Sequence, residues 1–431
     1  MIFLQYTLKR IQALIEEINF LMECEFPYKD SNIALKRLKR YFNDLKNHLE
    51  SLSNRDEELV KQNCSKALDD LFIYLPLIGF ILRSTNIRNA FEFYRPLRRL
   101  SKHILNINDY GEVHVVLSSE WDYSPFTYWG FPGFEGFVFI GLPAHESGNP
   151  LLIPLVGHEL GHHIWKIKKI PTDSTFQLKI KRSVIDCVKK KRWAEYIKIF
   201  SDLALKNPDD FDSNFLLTST TISTAEKFVM KQSEETFCDF VALRVFGKAY
   251  LDAFAYLLSP NNSGERNMYY PSMRNRVHNL LKAAKVYNIN YETNYHSLFN
   301  ESLSPMRAER ELFQLKLSDD AMDMLIDDLI VMVNKSIDES YINSDRNNIK
   351  LIKKRFDKLV PAENCKSIAD ILNAAWEIYN EHLINGSKIW KNLAHIDSNN
   401  QDKIFKDLIL KNIEVFEIGQ ILQNNEMLSD I

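Results

Sequence analysis

The stretch Val156-Gly157-His158-Glu159-Leu160-Gly161-His162-His163 constrains this chain more than any other, because its residue types and spacing serve one chemistry if the backbone is helical. At about 100° per residue, His158 and His162 leave a helix about 40° apart, so both imidazoles can hold one cation. Imidazole nitrogen is a favoured zinc ligand, and a zinc ion with three protein ligands keeps one position for water. Glu159 stands beside the pair, placed to take a proton from that water and return it to a leaving group. The motif therefore points to metal-assisted hydrolysis with Zn2+ as cofactor, His158 and His162 as ligands and Glu159 as general base. Gly161 leaves room for a neighbouring backbone, while Leu160, Ile164 and Trp165 supply apolar packing. His163 lies about 140° round from His158, so it is read as a packing residue.

The third ligand is sought in Ser233-Glu234-Glu235-Thr236-Phe237-Cys238-Asp239-Phe240-Val241-Ala242, which continues to Gly247. This reads as a helix that ends at the glycine. Glu235 and Asp239 are four apart and share a face with Ala242 and Phe246. Glu235 is expected on the metal, and Asp239 behind a ligating imidazole as its hydrogen-bond acceptor. Glu234 points about 100° away from Glu235, so its loss is expected to matter much less. Carboxylates set among Phe237, Phe240, Val241 and Leu243 are costly to bury without partners.

These two segments resemble the gluzincin metallopeptidases, in which H-E-x-x-H is followed by E-x-x-x-D on a second helix, with looser similarity to the thermolysin-like and HtpX-type branches. Downstream, Tyr270-Pro271-Ser272-Met273-Arg274-Asn275-Arg276 resembles the H-P-x-x-x-R segment of the HtpX-type branch, with Tyr270 standing where that branch has His. The resemblance covers roughly residues 136–278. It implies peptide-bond hydrolysis, protein or peptide substrates, and an oxyanion steadied by Tyr270 or by an arginine, Arg274 or Arg276. HtpX-type enzymes are membrane proteins, whereas the most apolar run here, Leu71 to Leu82, contains Pro76 and Gly79 and falls short of the roughly 20 residues a bilayer span needs.

Composition bounds the rest. With 431 residues and 45% hydrophobic content, the chain has ample material for a folded core. A net charge of −3 gives no general argument for nucleic acid as a partner, although the run Lys189-Lys190-Lys191-Arg192 leaves it open. The five scattered cysteines have no C-x-x-C spacing and suggest neither a disulfide framework nor a cysteine zinc cluster. A cytoplasmic location without a membrane span is expected, as the N-terminus has no apolar leader.

Helical periodicity dominates both ends. Residues 6–26 and 31–52 suggest an antiparallel pair, 71–82 a buried helix, and 86–105 an amphipathic helix interrupted at Pro96. In the middle, 111–117 and 136–142 read as strands joined by a loop of glycines, prolines and aromatics, whose Tyr123, Tyr128 and Trp129 are candidate subsite residues. The second strand precedes the metal helix, as does a zincin strand whose edge borders the cleft. The 72 residues between His162 and Glu235 are too many for a bare loop, and 179–206 supplies a helix there. Candidate helices at 319–337, 349–359, 367–382 and 401–422 follow. The expected architecture is α+β, mainly α: a helical region over 1–107, a zincin-like module with a small sheet over 108–290, and a helical region over 291–431 that buttresses the site or binds a regulatory partner. Two rival functions stay open: a conditional protease toxin or defence effector acting on a host protein, and a non-catalytic binding protein stabilised by zinc.

Overall fold

A computed structural model describes residues 1–86, 90–105, 112–128, 130–203, 205–260, 267–300, 308–337, 345–385, 389–390 and 395–424. The fold is α+β and mainly helical, with one small three-stranded sheet. It divides into two compact units, one of residues 1–150 with the segment from Lys406, the other of Leu151–Phe405. These limits differ from the expected divisions after 107 and 290. The second break falls inside a helix, and the returning segment joins the N-terminal unit through packing that no composition shift announces.

The N-terminal unit begins with helices α1 (Ile2–Leu21), α2 (Lys29–Ser51), α3 (Glu57–Arg83) and α4 (Ala90–Leu105). The Asp56 side chain caps α3 by accepting from the Glu58 and Leu59 amides. Helix α4 runs through Pro96 without the expected interruption. In α3 the apolar run 71–82 is only half buried: Leu71, Tyr74, Leu77, Phe80 and Ile81 face the core while Phe72, Ile73 and Leu75 are exposed. Strands β1 (His114–Glu120), β2 (Phe126–Tyr128) and β3 (Phe137–Pro143) follow. β1 and β3 pair in parallel, with His114 opposite Phe137, and β2 lies antiparallel on the other side of β3. Every residue of β1 and β3 is buried; β3 accordingly reads as a near-continuous apolar run, whereas β1 buries His114, Ser118, Ser119 and Glu120 beside its three apolar residues. The short β2 falls where a loop was expected; Trp129 lies outside the described residues. Asp30 of α2 ties the layers together. It accepts from the Tyr94 hydroxyl (2.7 Å), the Val115 amide (2.8 Å) and His114 Nδ1 (3.0 Å).

The second unit opens on α5 (Ile153–Ile167), the helix of the H-E-x-x-H motif, with Pro154 in its first turn. Helices α6 (Ser174–Cys187), α7 (Trp193–Ile199) and α8 (Asp210–Ser213) fill the long insertion, and a π-turn spans Val188–Arg192. The basic run sits in that turn with acids at hand: Lys189 pairs with Asp209, Lys190 with Asp186, and Arg192 with Glu195 and Asp320. Most of its charge is thus balanced within the chain, which weakens the case for a nucleic-acid partner.

Helix α9 (Phe215–Phe246) carries the second acidic motif and starts well before the expected segment. It ends at Gly247, whose φ of +61° suits a residue without a side chain. After it come α10 (Lys248–Leu258), α11 (Met273–Val286), α12 (Glu309–Asp323), α13 (Ile326–Ser336), α14 (Arg346–Phe356), α15 (Ile368–Asn385) and α16 (Ser398–Asn424), the last crossing into the first unit. The single helix expected over 319–337 is two, α12 and α13. Among the described residues no helix is long and apolar enough to cross a membrane.

The contact that positions the site is between α5 and α9. A Cβ on Gly157 would lie 2.9 Å from the Ala242 Cα, and one on Gly161 would lie 2.6 Å from the Cys238 Cα. Two glycines four residues apart thus let the helices approach backbone to backbone. Trp165 and Phe237 close the packing at one end, ring centres 5.2 Å apart. Gly161→Ala must therefore push the helices apart, and a net destabilisation of about 1–3 kcal/mol is expected despite alanine's better helix propensity. Urea unfolding checks this, and an unchanged midpoint would show that the close approach is not real.

Candidate metal centre

Helix α5 presents His158 and His162 to α9, where Glu234, Glu235 and Asp239 meet them. His158 Nε2 is 3.2 Å from Glu235 Oε2, and His162 Nε2 is 3.8 Å from Glu235 Oε1. Three N and O donors around a tetrahedral zinc at 2.0–2.1 Å would stand about 3.3 Å apart; the two separations here are of that order but run to different oxygens of the one carboxylate. Glu235 Oε2 is buried and forms an ion pair with His158 Nε2.

The other ring nitrogens are held from behind. His158 Nδ1 donates to Asp239 Oδ1 (2.8 Å). Asp239 also takes the Tyr250 hydroxyl (2.6 Å) and two bonds from Arg276, Nε at 2.7 Å and Nη2 at 2.8 Å. His162 Nδ1 donates to Glu234 Oε1 (3.1 Å), and Lys231 pairs with the same carboxylate. Both Nε2 atoms are thereby turned toward Glu235. This is the arrangement in which outer acceptors fix the tautomer and aim of ligating histidines.

Charge follows this geometry. Burial works against an ionised Asp239, but Arg276 and His158 outweigh it and hold the carboxyl well below the usual range. Burial likewise disfavours a charged His158, yet Asp239 and Glu235 overcome it and lift the imidazole to about 10. With a carboxylate at each nitrogen, that ring calls for positive charge, whether a proton or a metal. Glu159 is buried, and burial raises its pKa against the pull of His158 and His162, which moves a carboxylate toward the range of a working base. His163, buried and pushed down to about 3 by burial and then by His162 and Lys166, is a neutral packing group.

Of the oxyanion candidates, Tyr270 is near the centre and Arg274 is elsewhere. The Tyr270 ring lies over the Arg276 guanidinium at 5.0 Å, and the charge of Glu235, then burial, pushes its phenol up, so it stays a donor. Arg276 is committed to Asp239, and Arg274 lines a separate cavity. Sequence spacing did not distinguish the two arginines.

Cys238 is the one further donor. One donor atom from each of His158, His162 and Cys238 lies within 4.8 Å of the others, although burial and then the nearby carboxylates push the thiol well above its ordinary pKa. Glu235 faces both histidine Nε2 atoms, and Cys238 packs against Gly161 at the helix contact. Comparison with protein-family models, with curated proteins and with solved structures finds no match to this chain.

Glu234 is the residue that sequence reasoning undervalued. Substitutions should separate the roles: Glu235→Ala abolishes zinc binding, while Asp239→Ala and Glu234→Ala each weaken it by roughly 10- to 100-fold. Cys238→Ser should leave the affinity nearly unchanged. Zinc competition titration reads all four, and a Cys238→Ser loss equal to that of Glu235→Ala would put sulfur, not the carboxylate, on the ion.

Proposed function

We propose that the protein is a zinc-dependent peptidase of gluzincin type, with His158, His162 and Glu235 as the metal ligands. The observation that carries this is the Glu235 carboxylate, set across both Nε2 atoms with one oxygen 3.2 Å from His158 Nε2 and the other 3.8 Å from His162 Nε2. The proposal joins that donor set to the H-E-x-x-H and E-x-x-x-D resemblance. When bound, the cation supplies Lewis acidity at the scissile carbonyl.

The chain's own residues do the rest. Glu159 accepts the proton of the attacking water and returns it to the departing amine nitrogen, which keeps the proton count balanced across hydrolysis. Asp239, locked by Arg276 and Tyr250, holds His158 in one tautomer and orientation, and Glu234 does the same for His162. Tyr270, 40% exposed and beside the centre, donates a hydrogen bond to the oxyanion as the carbonyl becomes tetrahedral. The substrate class is a protein or peptide, and the five free cysteines support a reducing cytoplasmic setting.

A second reading rests on Cys238. If its thiolate joined His158, His162 and Glu235, the coordination sphere would be closed by four protein donors, as in structural zinc sites. The protein would then be stabilised by zinc and non-catalytic. Glu159→Gln tests the catalytic reading, because an amide cannot take the water's proton. The variant should keep its fold and zinc while turnover falls by about two to four powers of ten. Proteome-wide N-terminal labelling with wild type and variant provides the readout. Zinc-loaded wild type that yields no new N-termini relative to Glu159→Gln would set the peptidase reading aside.

A further inference from the structure

Asp69, Phe72, Pro76, Gly79 and Arg83 follow one another along α3 at steps of three and four residues, so they share one face of the helix. Asp69, Phe72 and Pro76 are exposed, and Ile73 and Leu75 flank the line. Phe72 is 69% exposed, Ile73 50% and Leu75 47%. From Leu71 to Leu82 the helix carries no charge at all. Its other face is fixed in the core of the N-terminal unit, where the Tyr74 hydroxyl donates to the Pro132 carbonyl (2.7 Å) and the Tyr41 hydroxyl to Asp70 (2.7 Å). The outward side chains are thus held by a rigid element. Together they offer on the order of 400 Å² of apolar surface, a size at which an exposed patch marks an interaction site.

The arrangement along the line is self-complementary. Asp69 stands seven residues before Pro76 and Arg83 seven residues after it, each about 10.5 Å along the axis. A two-fold axis through Pro76 and perpendicular to α3 therefore sets Asp69 of one copy opposite Arg83 of the other, twice. The same operation lays Phe72, four residues before Pro76, over Gly79, three residues after it. Within 4 Å the place of a Cβ on Gly79 meets only the Arg83 guanidinium, with Nη1 at 3.1 Å, so the bare backbone can receive an aromatic ring. Arg83 holds Glu120 through Nε (2.8 and 2.9 Å), which leaves its Nη1 on the outward side beside Gly79.

We propose that this face of α3 pairs with the same face of a second copy of the chain, antiparallel about Pro76. A two-fold contact uses one patch twice, so the apolar part buries about 800 Å², at the low end for a specific interface. The dimer is accordingly weak and reversible, with a Kd of about 1–100 µM. An anionic membrane recruits helices rich in Lys and Arg, whereas α3 carries four acids and three bases, and the charges that flank the apolar line are one of each sign. The pairing is independent of the metal centre and of the peptidase reading.

Sedimentation velocity of the full chain between about 1 and 100 µM tests it. The wild type should pass from monomer to dimer over that range, and Phe72→Glu should stay monomeric with an unchanged circular dichroism spectrum. Register is read by cross-linking under mild oxidation. Pro76→Cys, on the axis, should give a disulfide-linked dimer, since facing helices bring such Cα atoms within the roughly 4.4–6.8 Å a disulfide spans. Lys61→Cys, on the same face but about 22 Å further along the helix, should not. A wild type that stays monomeric at about 100 µM, a Phe72→Glu variant that dimerises as the wild type does, or cross-linking of Lys61→Cys equal to that of Pro76→Cys would overturn the proposal. Monomers that float with phosphatidylcholine and phosphatidylserine vesicles, and lose this in Phe72→Glu, would give the face to lipid instead.

Discussion

The backbone-to-backbone approach of α5 and α9 is the constraint on which the rest of the second unit depends. Gly157 and Gly161 face Ala242 and Cys238 with no room for even one methyl group. That closeness brings the carboxylates of α9 within reach of the imidazoles of α5. With ordinary side chains at those two positions the helices would stand at the usual 8–10 Å spacing or more, and Glu235 could not span both histidines. Helix packing here is thus a condition of the site's chemistry.

The site drawn together in this way is over-supplied with negative charge. Glu159, Glu234, Glu235 and Asp239 gather around two imidazoles; Arg276 pairs with Asp239, Lys231 with Glu234, and Lys166 feels the charge of Glu234. Burying such an excess without compensation is expensive. The proposed metal centre would compensate it, with Asp239 and Glu234 fixing the orientation of His158 and His162. Arg276 holds Asp239 in place with two hydrogen bonds.

Much of this was legible in the sequence because it is local. The i, i+4 spacings of His158 with His162 and of Glu235 with Asp239 carry their geometry with them. The role of Glu234 was not legible: consecutive helical residues diverge, but an imidazole has two nitrogens, and Glu234 meets the second one of His162 from the side. Arg274 and Arg276 differ only in which face of α11 they occupy, which spacing alone could not assign. In the fold, β1, β3 and the principal helices follow from periodicity. The three-residue β2 did not stand out from an aromatic loop, and the Ser/Thr-rich start of α9 reads poorly as helix because β-branched residues and serines have low propensity there. That α16 returns to the first unit is tertiary information with no local signal.

X-ray absorption at the zinc edge tests the central claim most directly, since it reports the donor atoms of the ion itself. The account predicts one zinc per chain with nitrogen and oxygen scatterers only, at about 2.0–2.2 Å, from two imidazoles, one carboxylate and water. A sulfur scatterer at about 2.3 Å would show Cys238 on the ion and contradict the open, three-ligand centre.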